Sequence, residues 1–224
     1  MQNTKQQFIE FALEADVLRF GEFKTKAGRL SPYFFNAGLF NTGARLDRLG
    51  AFYAETLLAA RKAGRLDFDM IFGPAYKGIP LAASVAMNLS RMGCDVPWAF
   101  NRKEIKDHGE GGMIVGAPLK GLVIIDDVIS AGTSVRESVK IIEANNASPS
   151  GVLIAVDRME RGGTADAPTA TSAVQDVEKT FGLSVVSIIN LHDLLAFMDG
   201  PSEKAKTVAQ YRDAVAAYRA RYGA

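Results

Sequence analysis

Two acids, several small residues and three hydroxyls follow an apolar run near the middle of the chain. Leu122–Ile125 are apolar, and the nine residues Asp126–Ser134 read DDVISAGTS. Because a helix N-terminus presents unpaired N–H groups at the positive end of its dipole, a loop of small residues that opens a helix can receive a phosphate. The two carboxylates cannot bind that phosphate, but they can accept hydrogen bonds from sugar hydroxyls. The segment therefore predicts one continuous site for a phosphate and the sugar that carries it.

The small residues of this segment have separate parts in that prediction. Gly132 lets the backbone approach a ligand closely, and the hydroxyls of Ser130, Thr133 and Ser134 add donors. The alternative is a strand end with solvated acids and a Ser/Thr-capped helix, which needs several coincidences within a short segment. The predicted site comprises Asp126, Asp127, Val128, Ile129, Ser130, Ala131, Gly132, Thr133 and Ser134.

A second loop, GPAYKGIP at Gly73–Pro80, combines two Gly, two Pro and one Lys after an apolar run. It must turn sharply and present main-chain N–H groups, so it can hold a second phosphate group, with Lys77 supplying charge and Tyr76 shape. The alternative is an ordinary Gly/Pro turn. It is not a Walker A loop, because Ile79 and Pro80 stand where that motif has Lys and Ser or Thr. A dinucleotide-binding fingerprint is also excluded, because the glycines of GEGGMIVG do not have its spacing.

A third segment, Asn101–Ala117, is polar and glycine-rich between two apolar runs, and its length and composition suggest a mobile lid. Arg102, Lys103, Lys106 and His108 can close on a diphosphate leaving group and neutralise the charge that grows as its bond breaks. Three acids in the segment cancel its three permanent cations, so a solvated loop is the alternative.

The elements that must position these loops can be predicted from periodicity. An amphipathic helix carries Phe8, Phe11, Ala12 and Ala15, extended pieces lie at Val17–Phe23 and Tyr33–Asn36, and Leu46, Leu49, Tyr53 and Leu57 mark a second helix. Five apolar runs then alternate with stretches of crossover length: DMIF, PWAF, GLVIID, GVLIAVD and LSVVSII. The predicted later helices are Ile79–Arg91, Thr133–Asn145, Ser172–Phe181, Leu191–Met198 and Glu203–Tyr222.

This alternation predicts an α/β fold: a doubly wound, mainly parallel five-stranded sheet with helices on both faces. Ligands of such sheets bind beyond the carboxyl ends of the strands, so the loops after Phe72, Phe100, Asp126 and Asp157 are the places to search. We expect a single domain over residues 1–224. Its parts are an N-terminal cap or hood (1–65), an α/β core (66–200) and a C-terminal helix (201–224).

Composition excludes several classes of protein. With 26 Lys and Arg against 25 Asp and Glu, nothing in the overall charge suggests nucleic acid or an anionic membrane as a partner. The N-terminus is neither a signal nor a transit peptide, and no segment has the apolar length of a membrane span. The single Cys94 cannot form an internal disulfide, which favours a reducing compartment, so we expect a cytoplasmic location. His192 and Cys94 are interpreted as structural.

The motifs together resemble the orotate phosphoribosyltransferase family, and the Asp126–Ser134 segment resembles the phosphoribosyl diphosphate (PRPP) signature of type I phosphoribosyltransferases. The resemblance covers the chain from about Lys24 to Gly163. The matching motifs are SPYFFNAGLF, GPAYKGIPLAA, FNRKEIKDHGEGG, DDVISAGTSVRES and DRMERGG.

By that resemblance, the PRPP contacts outside the Asp126–Ser134 segment are Lys26, Tyr76, Lys77, Arg102, Lys103, Lys106 and His108, and the orotate contacts are Phe34, Phe35, Ser130 and Arg158. Arg158 ends a predicted strand and can pair with a planar carboxylate in fork geometry, although a surface arginine is the alternative. Phe34 and Phe35 can equally be core residues. Relatives usually carry Thr in place of Ser130, and the hydroxyl is kept.

The resemblance implies transfer of phosphoribosyl from PRPP to orotate, giving orotidine 5′-monophosphate and pyrophosphate, in de novo pyrimidine synthesis. It also implies Mg²⁺ on the diphosphate and a homodimer in which one chain's lid reaches its partner's site. The catalytic set would be Lys103, Lys106, His108, Asp126 and Asp127. A purine-base phosphoribosyltransferase and a PRPP-sensing regulator without catalysis are the alternatives.

Overall fold

The computed structural model describes residues 2–106, 112–130 and 132–224, with the backbone alone for Gln2, Ile105 and Lys106. Its N-terminal part is a helix, a two-stranded antiparallel hairpin, a short 3-10 helix (Ala37–Leu39) and a long helix. These elements are α1 (Gln2–Glu14), β1 (Leu18–Lys24), β2 (Leu30–Phe35) and α2 (Gly43–Lys62). Thr42 caps α2 by accepting a hydrogen bond from the N–H of Arg45, which fixes where the helix begins.

The core of the fold is a six-stranded sheet. Along the chain, the elements of this region are β3 (Met70–Gly73), α3 (Gly78–Arg91), β4 (Trp98–Lys106), β5 (Gly112–Gly116), β6 (Leu122–Ile125), α4 (Thr133–Ala144), β7 (Pro149–Asp157), β8 (Arg161–Gly163), β9 (Pro168–Ser172), α5 (Ala173–Phe181), β10 (Ser184–Asn190) and α6 (Leu191–Met198). The sheet order is β10-β7-β6-β3-β4-β5. The first five strands of that order are mutually parallel, which confirms the predicted parallel sheet.

Both faces of this sheet are buried. Val123 and Ile125 of β6 pack into a cluster with the N-terminal elements, α3 and α6, whereas Leu122 and Ile124 pack into a second cluster with α4 and α5. Successive side chains of a strand point to opposite faces, so a continuous apolar run must bury both. The helices therefore lie on both faces, as expected for a doubly wound sheet.

The region predicted as a lid loop is partly strand. Its two arms belong to β4 and β5. These strands pair antiparallel, from Ala99 opposite Gly116 to Lys106 opposite Gly112, so β5 becomes a sixth strand at the edge of the sheet. The edge strand reads GMIVG, and its three apolar residues between glycines are too short a run to predict a strand on their own. Residues 107–111, which include the predicted site residue His108, lie outside the described residues.

Two further details differ from the sequence-based prediction. β8 and β9 form a small antiparallel hairpin that has no apolar pattern. The C-terminal segment is not one helix but α7 (Glu203–Val208), a 3-10 turn (Ala209–Tyr211) and α8 (Arg212–Tyr222). Because the segment contains neither glycine nor proline, nothing local signals the break, which coincides with Tyr211 stacking on Phe20 of β1. Within the described ranges, no helix is long and apolar enough to cross a membrane.

Candidate active site

The acids that follow β6 are held in a buried, extended stretch. The N–H of Asp126 donates to the carbonyl of Leu153, and the carbonyl of Asp127 accepts from the N–H of Ala155, so β7 keeps this stretch in sheet register. The N–H of Asp127 donates to Oδ1 of Asp126 at 2.9 Å. From α2, the Tyr53 hydroxyl donates to the carbonyl of Asp126 at 2.8 Å. The two carboxylates are thus fixed side by side at the carboxyl end of the sheet.

Burial and mutual repulsion make this pair electrostatically unusual. Asp126 and Asp127 are only 7% and 9% exposed. Burial, followed by repulsion from Asp127, raises the pKa of Asp126 to about 6, against a smaller lowering by a hydrogen bond from Ser134. A carboxyl group with a raised pKa at the open end of a parallel sheet is a candidate for a functional group.

The start of α4 leaves its first N–H groups without a side-chain cap. Gly132 occupies the N-cap position in the left-handed conformation, with φ of 70°. Because glycine has no side chain, the first N–H groups of the helix receive no side-chain hydrogen bond from this position. Ser130, Thr133 and Ser134 are exposed, so their hydroxyls and the helix N–H groups can reach a ligand. Ala131 lies outside the described residues. The helix start thus leaves its N–H groups and these hydroxyls available, and its role as a phosphate-binding turn stays a prediction.

The loop after β3 lies directly beside the acids. Nζ of Lys77 donates to Oδ2 of Asp127 at 2.9 Å. Gly78 permits the close approach, because a Cβ there would lie 3.0 Å from the carbonyl oxygen of Ile125 and 2.5 Å from the ring of Pro74. Tyr76 is 71% exposed and its peptide bond to Ala75 is cis. Two loops that the sequence singled out separately thus form one surface.

The first arm of the lid region reaches the same surface. Oδ1 of Asn101 accepts from the N–H of Ala75 at 3.0 Å, and Nζ of Lys103 lies 5.7 Å from the centre of the Tyr76 ring. A groove of about 270 Å³ lies between these elements and α4, lined among others by Pro74, Ala75, Asn101, Arg102, Lys103 and Ser134. Nη1 of Arg102 donates to the carbonyl of Gly112 at 3.2 Å. The side chains of Lys106 and His108 lie outside the described residues.

On the other side of the acids, Arg158 follows β7 and is mostly buried. Its Nε and Nη2 contact Oε1 of Glu160 at 2.8 and 2.6 Å, and Nη2 donates to the Ser31 hydroxyl at 3.0 Å. The ring of Tyr33 lies 4.3 Å from its guanidinium carbon. Burial alone would lower the pKa of Arg158, but Tyr33 and Glu160 outweigh that effect and raise it, so the group stays cationic. It is not a free surface arginine.

The remaining predicted residues have mixed placements. The Phe35 side chain is in the core against Phe8 and Phe40, and the Phe34 ring stacks on Phe23 at 5.5 Å. Phe35 is thus a core residue, whereas Phe34 stays 37% exposed at the surface of β2. Lys26 is exposed in the turn between β1 and β2.

Sequence analysis missed several residues that hold this site: Ser31, Tyr53, Asn101 and Glu160. Tyr53 was identified only as an apolar position on a helix, yet its hydroxyl reaches the main chain of Asp126. For Glu160, the available signal was an acid two residues after a predicted base-binding arginine. A larger groove of about 590 Å³, between α1, β1 and the C-terminal segment, is lined by none of the predicted site residues.

Comparison with known proteins gives consistent matches. Residues 47–185 match the family model of the phosphoribosyl transferase domain. The chain is 61% identical, over 100% of its length and 99% of the relative, to an orotate phosphoribosyltransferase of Herminiimonas arsenicoxydans. It is 60% identical, over 97% of its length and 94% of the relative, to the Cupriavidus necator protein of that name.

A solved structure agrees. The 1.9 Å crystal structure of orotate phosphoribosyltransferase from Francisella tularensis superposes with a TM-score of 0.81 at 38% identity, covering 97% of this chain and all of that one. A full-length likeness at this level of identity, together with loops that meet at the carboxyl edge of the sheet, fixes the family. The chain belongs to the orotate phosphoribosyltransferases, a branch of the phosphoribosyl transferase domain family.

Proposed function

We propose that this protein joins N1 of orotate to the ribose carbon of PRPP that bears diphosphate, giving orotidine 5′-monophosphate and releasing pyrophosphate. The observation that carries this proposal is the 2.9 Å contact between Lys77 and Asp127. This contact supports the proposal because it joins the loop predicted to hold a diphosphate to the loop predicted to hold a ribose phosphate, and PRPP carries both groups.

In this reaction, no side chain has to act as a covalent nucleophile. The ribose gains positive charge as the diphosphate leaves, so the protein has to align the substrates, stabilise the leaving group and exclude water. The N–H groups at the start of α4, with the hydroxyls of Ser130, Thr133 and Ser134, would hold the 5′-phosphate. Asp126 and Asp127 would accept hydrogen bonds from the ribose hydroxyls and favour a cationic sugar.

Charge on the diphosphate side would come from two loops. Lys77 and the main chain around Tyr76 follow β3, and Arg102, Lys103, Lys106 and His108 belong to the lid region. The contact between Lys103 and Tyr76 supports a shared role, because it brings a lid cation to the diphosphate loop. Lys26, in the turn between β1 and β2, would add a further positive charge.

Mg²⁺ would arrive with the substrate. No group of three or more Asp, Glu, His or Cys side chains among the described residues stands ready to hold a metal ion. Mg²⁺ often binds through only one or two carboxylates together with substrate phosphates, and the Asp126–Asp127 pair fits that donor set. When bound, the metal would withdraw negative charge from the departing diphosphate.

On the base side, Arg158 would face the carboxylate of orotate, with Ser130 and the main chain of Phe34 and Phe35 placing the ring. A guanidinium forks onto a planar carboxylate in a way that no neutral side chain can match. A purine lacks that carboxylate, so Arg158 disfavours the purine-base alternative. A PRPP sensor would not need the lid cations, which this chain retains.

We also propose a homodimer whose lids complete each other's sites, in the reducing cytoplasm that the free thiol of Cys94 suits. Light scattering gives the mass of the assembly. Mixing and reassembling the impaired variants Lys77→Ala and Lys106→Ala would restore part of the activity if the lid is shared through Lys106, because one site of each mixed dimer is then intact. No recovery in a verified mixed dimer contradicts lid sharing.

The activity itself is tested with purified protein, PRPP and Mg²⁺, following the ultraviolet absorbance of each base in turn. We expect orotate to be consumed, adenine, guanine and hypoxanthine to be unchanged, and EDTA to stop the reaction. Consumption of a purine with orotate untouched would replace this assignment by the purine enzyme. PRPP binding with no reaction of any base would indicate the sensor.

A further inference from the structure

Buried polar and charged side chains surround Arg158, and apart from Arg158 none of them has a part in the chemistry described above. With Arg158 they are Arg29, Ser31, Tyr33 and Glu160, and we call this set the arginine cluster. We propose that Glu160 is a positioning residue that fixes the Arg158 guanidinium before orotate binds. This inference rests on the proposed function, in which Arg158 meets the orotate carboxylate.

Glu160 holds one edge of the guanidinium. Nε and Nη2 of Arg158 both contact Oε1 of Glu160, and Nη2 is also bound to the Ser31 hydroxyl. The Tyr33 ring fixes the plane of the group from one face. Within the described residues, the hydrogen bonds of Arg158 are made by Nε and Nη2, and the Tyr218 hydroxyl approaches the same guanidinium. The contacts thus set both the plane and the edge of the guanidinium.

Glu160 is itself held from behind. Its Oε2 lies 3.9 Å from Nη1 of Arg29, and its Oε1 accepts from the Tyr33 hydroxyl at 3.3 Å. Its backbone forms an antiparallel bridge with Gly223, and the N–H of Ala224 donates to the carbonyl of Met159 at 2.9 Å. The chain after α8 therefore clamps the residue that orients Arg158.

The same C-terminal region closes the cluster from outside. Tyr218 of α8 packs edge-on against Tyr33, with ring centres 6.4 Å apart, and the Tyr222 ring lies 4.8 Å from the guanidinium of Arg29. The Tyr218 hydroxyl is buried beside the Glu160 carboxylate and the Arg158 guanidinium. Burial first, and then the nearby Glu160, raise the pKa of Tyr218. This gives the C-terminal helix a connection to the base side of the site.

Charge balance explains why an anion suits this arrangement. Arg29 is 3% exposed, and its guanidinium donates to the successive main-chain carbonyls of residues 161–164. Arg29 and Arg158 carry two positive charges, and Glu160 supplies the only carboxylate in the arginine cluster. One positive charge thus remains to be matched, and burial makes an unmatched charge costly. The carboxylate of a bound orotate would match it.

The test compares steady-state kinetics of four variants with the unaltered protein, together with their thermal unfolding. Glu160→Ala removes the hold on Arg158, so we expect the KM for orotate to rise on the order of 100-fold, the cost of a misplaced binding group. Glu160→Gln keeps an acceptor oxygen without the charge, so its KM for orotate should rise only about tenfold. The KM for PRPP should stay within about twofold in both, because only the base side is altered.

Two variants serve as references. Asp199→Asn also removes a carboxylate from an arginine fork, that of Arg212, but on the exposed surface, so it should leave both KM values unchanged. Arg158→Ala should raise the KM for orotate at least as much as Glu160→Ala. If it does not, the base side of the proposed function is wrong, and this inference is overturned with it.

If Arg158→Ala impairs orotate use while Glu160→Gln leaves the KM for orotate unchanged or lowers it, Glu160 competes with the substrate or is irrelevant. The positioning role is then overturned while the proposed function stands. Equal rises of both KM values in Glu160→Gln would also overturn it, since general loosening of the fold does not select one substrate. Should Glu160→Ala fail to fold, Glu160→Gln decides alone.

Discussion

Nζ of Lys77 lies 2.9 Å from Oδ2 of Asp127, so a cation of the loop after β3 is paired with an acid of the loop after β6. The Lys77 side chain remains 67% exposed, whereas the Asp127 side chain is nearly buried. A ligand phosphate can therefore approach the lysine from solvent without displacing the acid. This pair joins the diphosphate side of the site to its ribose side.

Removing that lysine should impair activity far more than stability. For Lys77→Ala we expect kcat/KM for PRPP to fall on the order of 100-fold, as for other losses of a charge-stabilising donor. The exposed ion pair itself is worth at most about 1 kcal/mol. Steady-state kinetics and urea unfolding measure the two effects. Unchanged kinetics would remove Lys77 from the site.

The raised pKa of Asp126 predicts how stability depends on pH. Between its ordinary value of 3.8 and about 6, the folded protein keeps a proton on Asp126 that the unfolded chain has lost. The contribution of this group to stability therefore falls as pH rises through that window, by roughly 3 kcal/mol. Asn has no proton to lose in this window. The free energy of unfolding of Asp126→Asn should therefore equal that of the unaltered protein near pH 4 and exceed it at pH 7.

Urea unfolding at several pH values checks this trend. Asp199→Asn is the matched control with the opposite sign, because the hydrogen bond from Arg212 lowers the pKa of Asp199. At pH 7, the free energy of unfolding of Asp199→Asn should not exceed that of the unaltered protein. A difference between Asp126→Asn and the unaltered protein that does not change with pH would contradict the assigned cause.

Tyr53 offers a test of how the acids are held. Tyr53→Phe removes the hydroxyl that donates to the main chain of Asp126 in a fully buried position. The carbonyl loses a partner, so the free energy of unfolding should drop by about 1–3 kcal/mol. Tyr76→Phe is the control for stability, since that ring is exposed and should cost nothing measurable. Equal effects of the two variants would argue against a specific role for Tyr53.

Gly78 allows the two loops to meet. In Gly78→Ala the added methyl would lie 2.5 Å from the Pro74 ring and 3.0 Å from the carbonyl oxygen of Ile125. Relief requires the loop to change its shape and to move away from β6, so we expect a rise in KM for PRPP of at least about tenfold. Gly64→Ala, where a Cβ meets nothing within 4 Å, is a control for activity only, because its φ of 66° strains any side chain. A normal KM for PRPP in Gly78→Ala would show that the loop spacing is not required.

Lys103 should act on turnover more than on binding. Its position beside Tyr76 lets it meet charge that develops on the leaving group. In Lys103→Ala we expect kcat to fall on the order of 100-fold while KM for PRPP changes less than about threefold. Pre-steady-state measurement of product formation separates the chemical step from release. A change confined to KM would assign Lys103 to ground-state binding instead.

Much of the fold follows from local pattern. Leu122–Ile125 and the other apolar runs predict the five parallel strands, and the predicted helix Leu191–Met198 agrees with α6 to the residue. Periodicity and end signals lie within a few neighbouring residues, so the sequence carries them directly. The phosphate turn is equally local, because hydroxyls, Gly132 and the helix start share one short segment.

Other features depend on what the strand order brings together. Lys77 and Asp127 are 50 residues apart, Tyr53 and Asp126 are 73 apart, and Ser31 and Arg158 are 127 apart. No local pattern encodes such contacts, since they exist only once β3, β6 and β7 lie side by side under the N-terminal hairpin. The antiparallel strand β5 and the break after Val208 are likewise set by neighbouring elements.

The sequence by itself therefore determined the parallel sheet and the family resemblance, and it predicted the phosphate-binding turn, because each resides in contiguous residues. Only the tertiary structure decided that Lys77 is paired with Asp127 and that Glu160, not solvent, faces Arg158. The physical reason is that burial and charge pairing are properties of three-dimensional neighbours, and these neighbours come from distant parts of the chain.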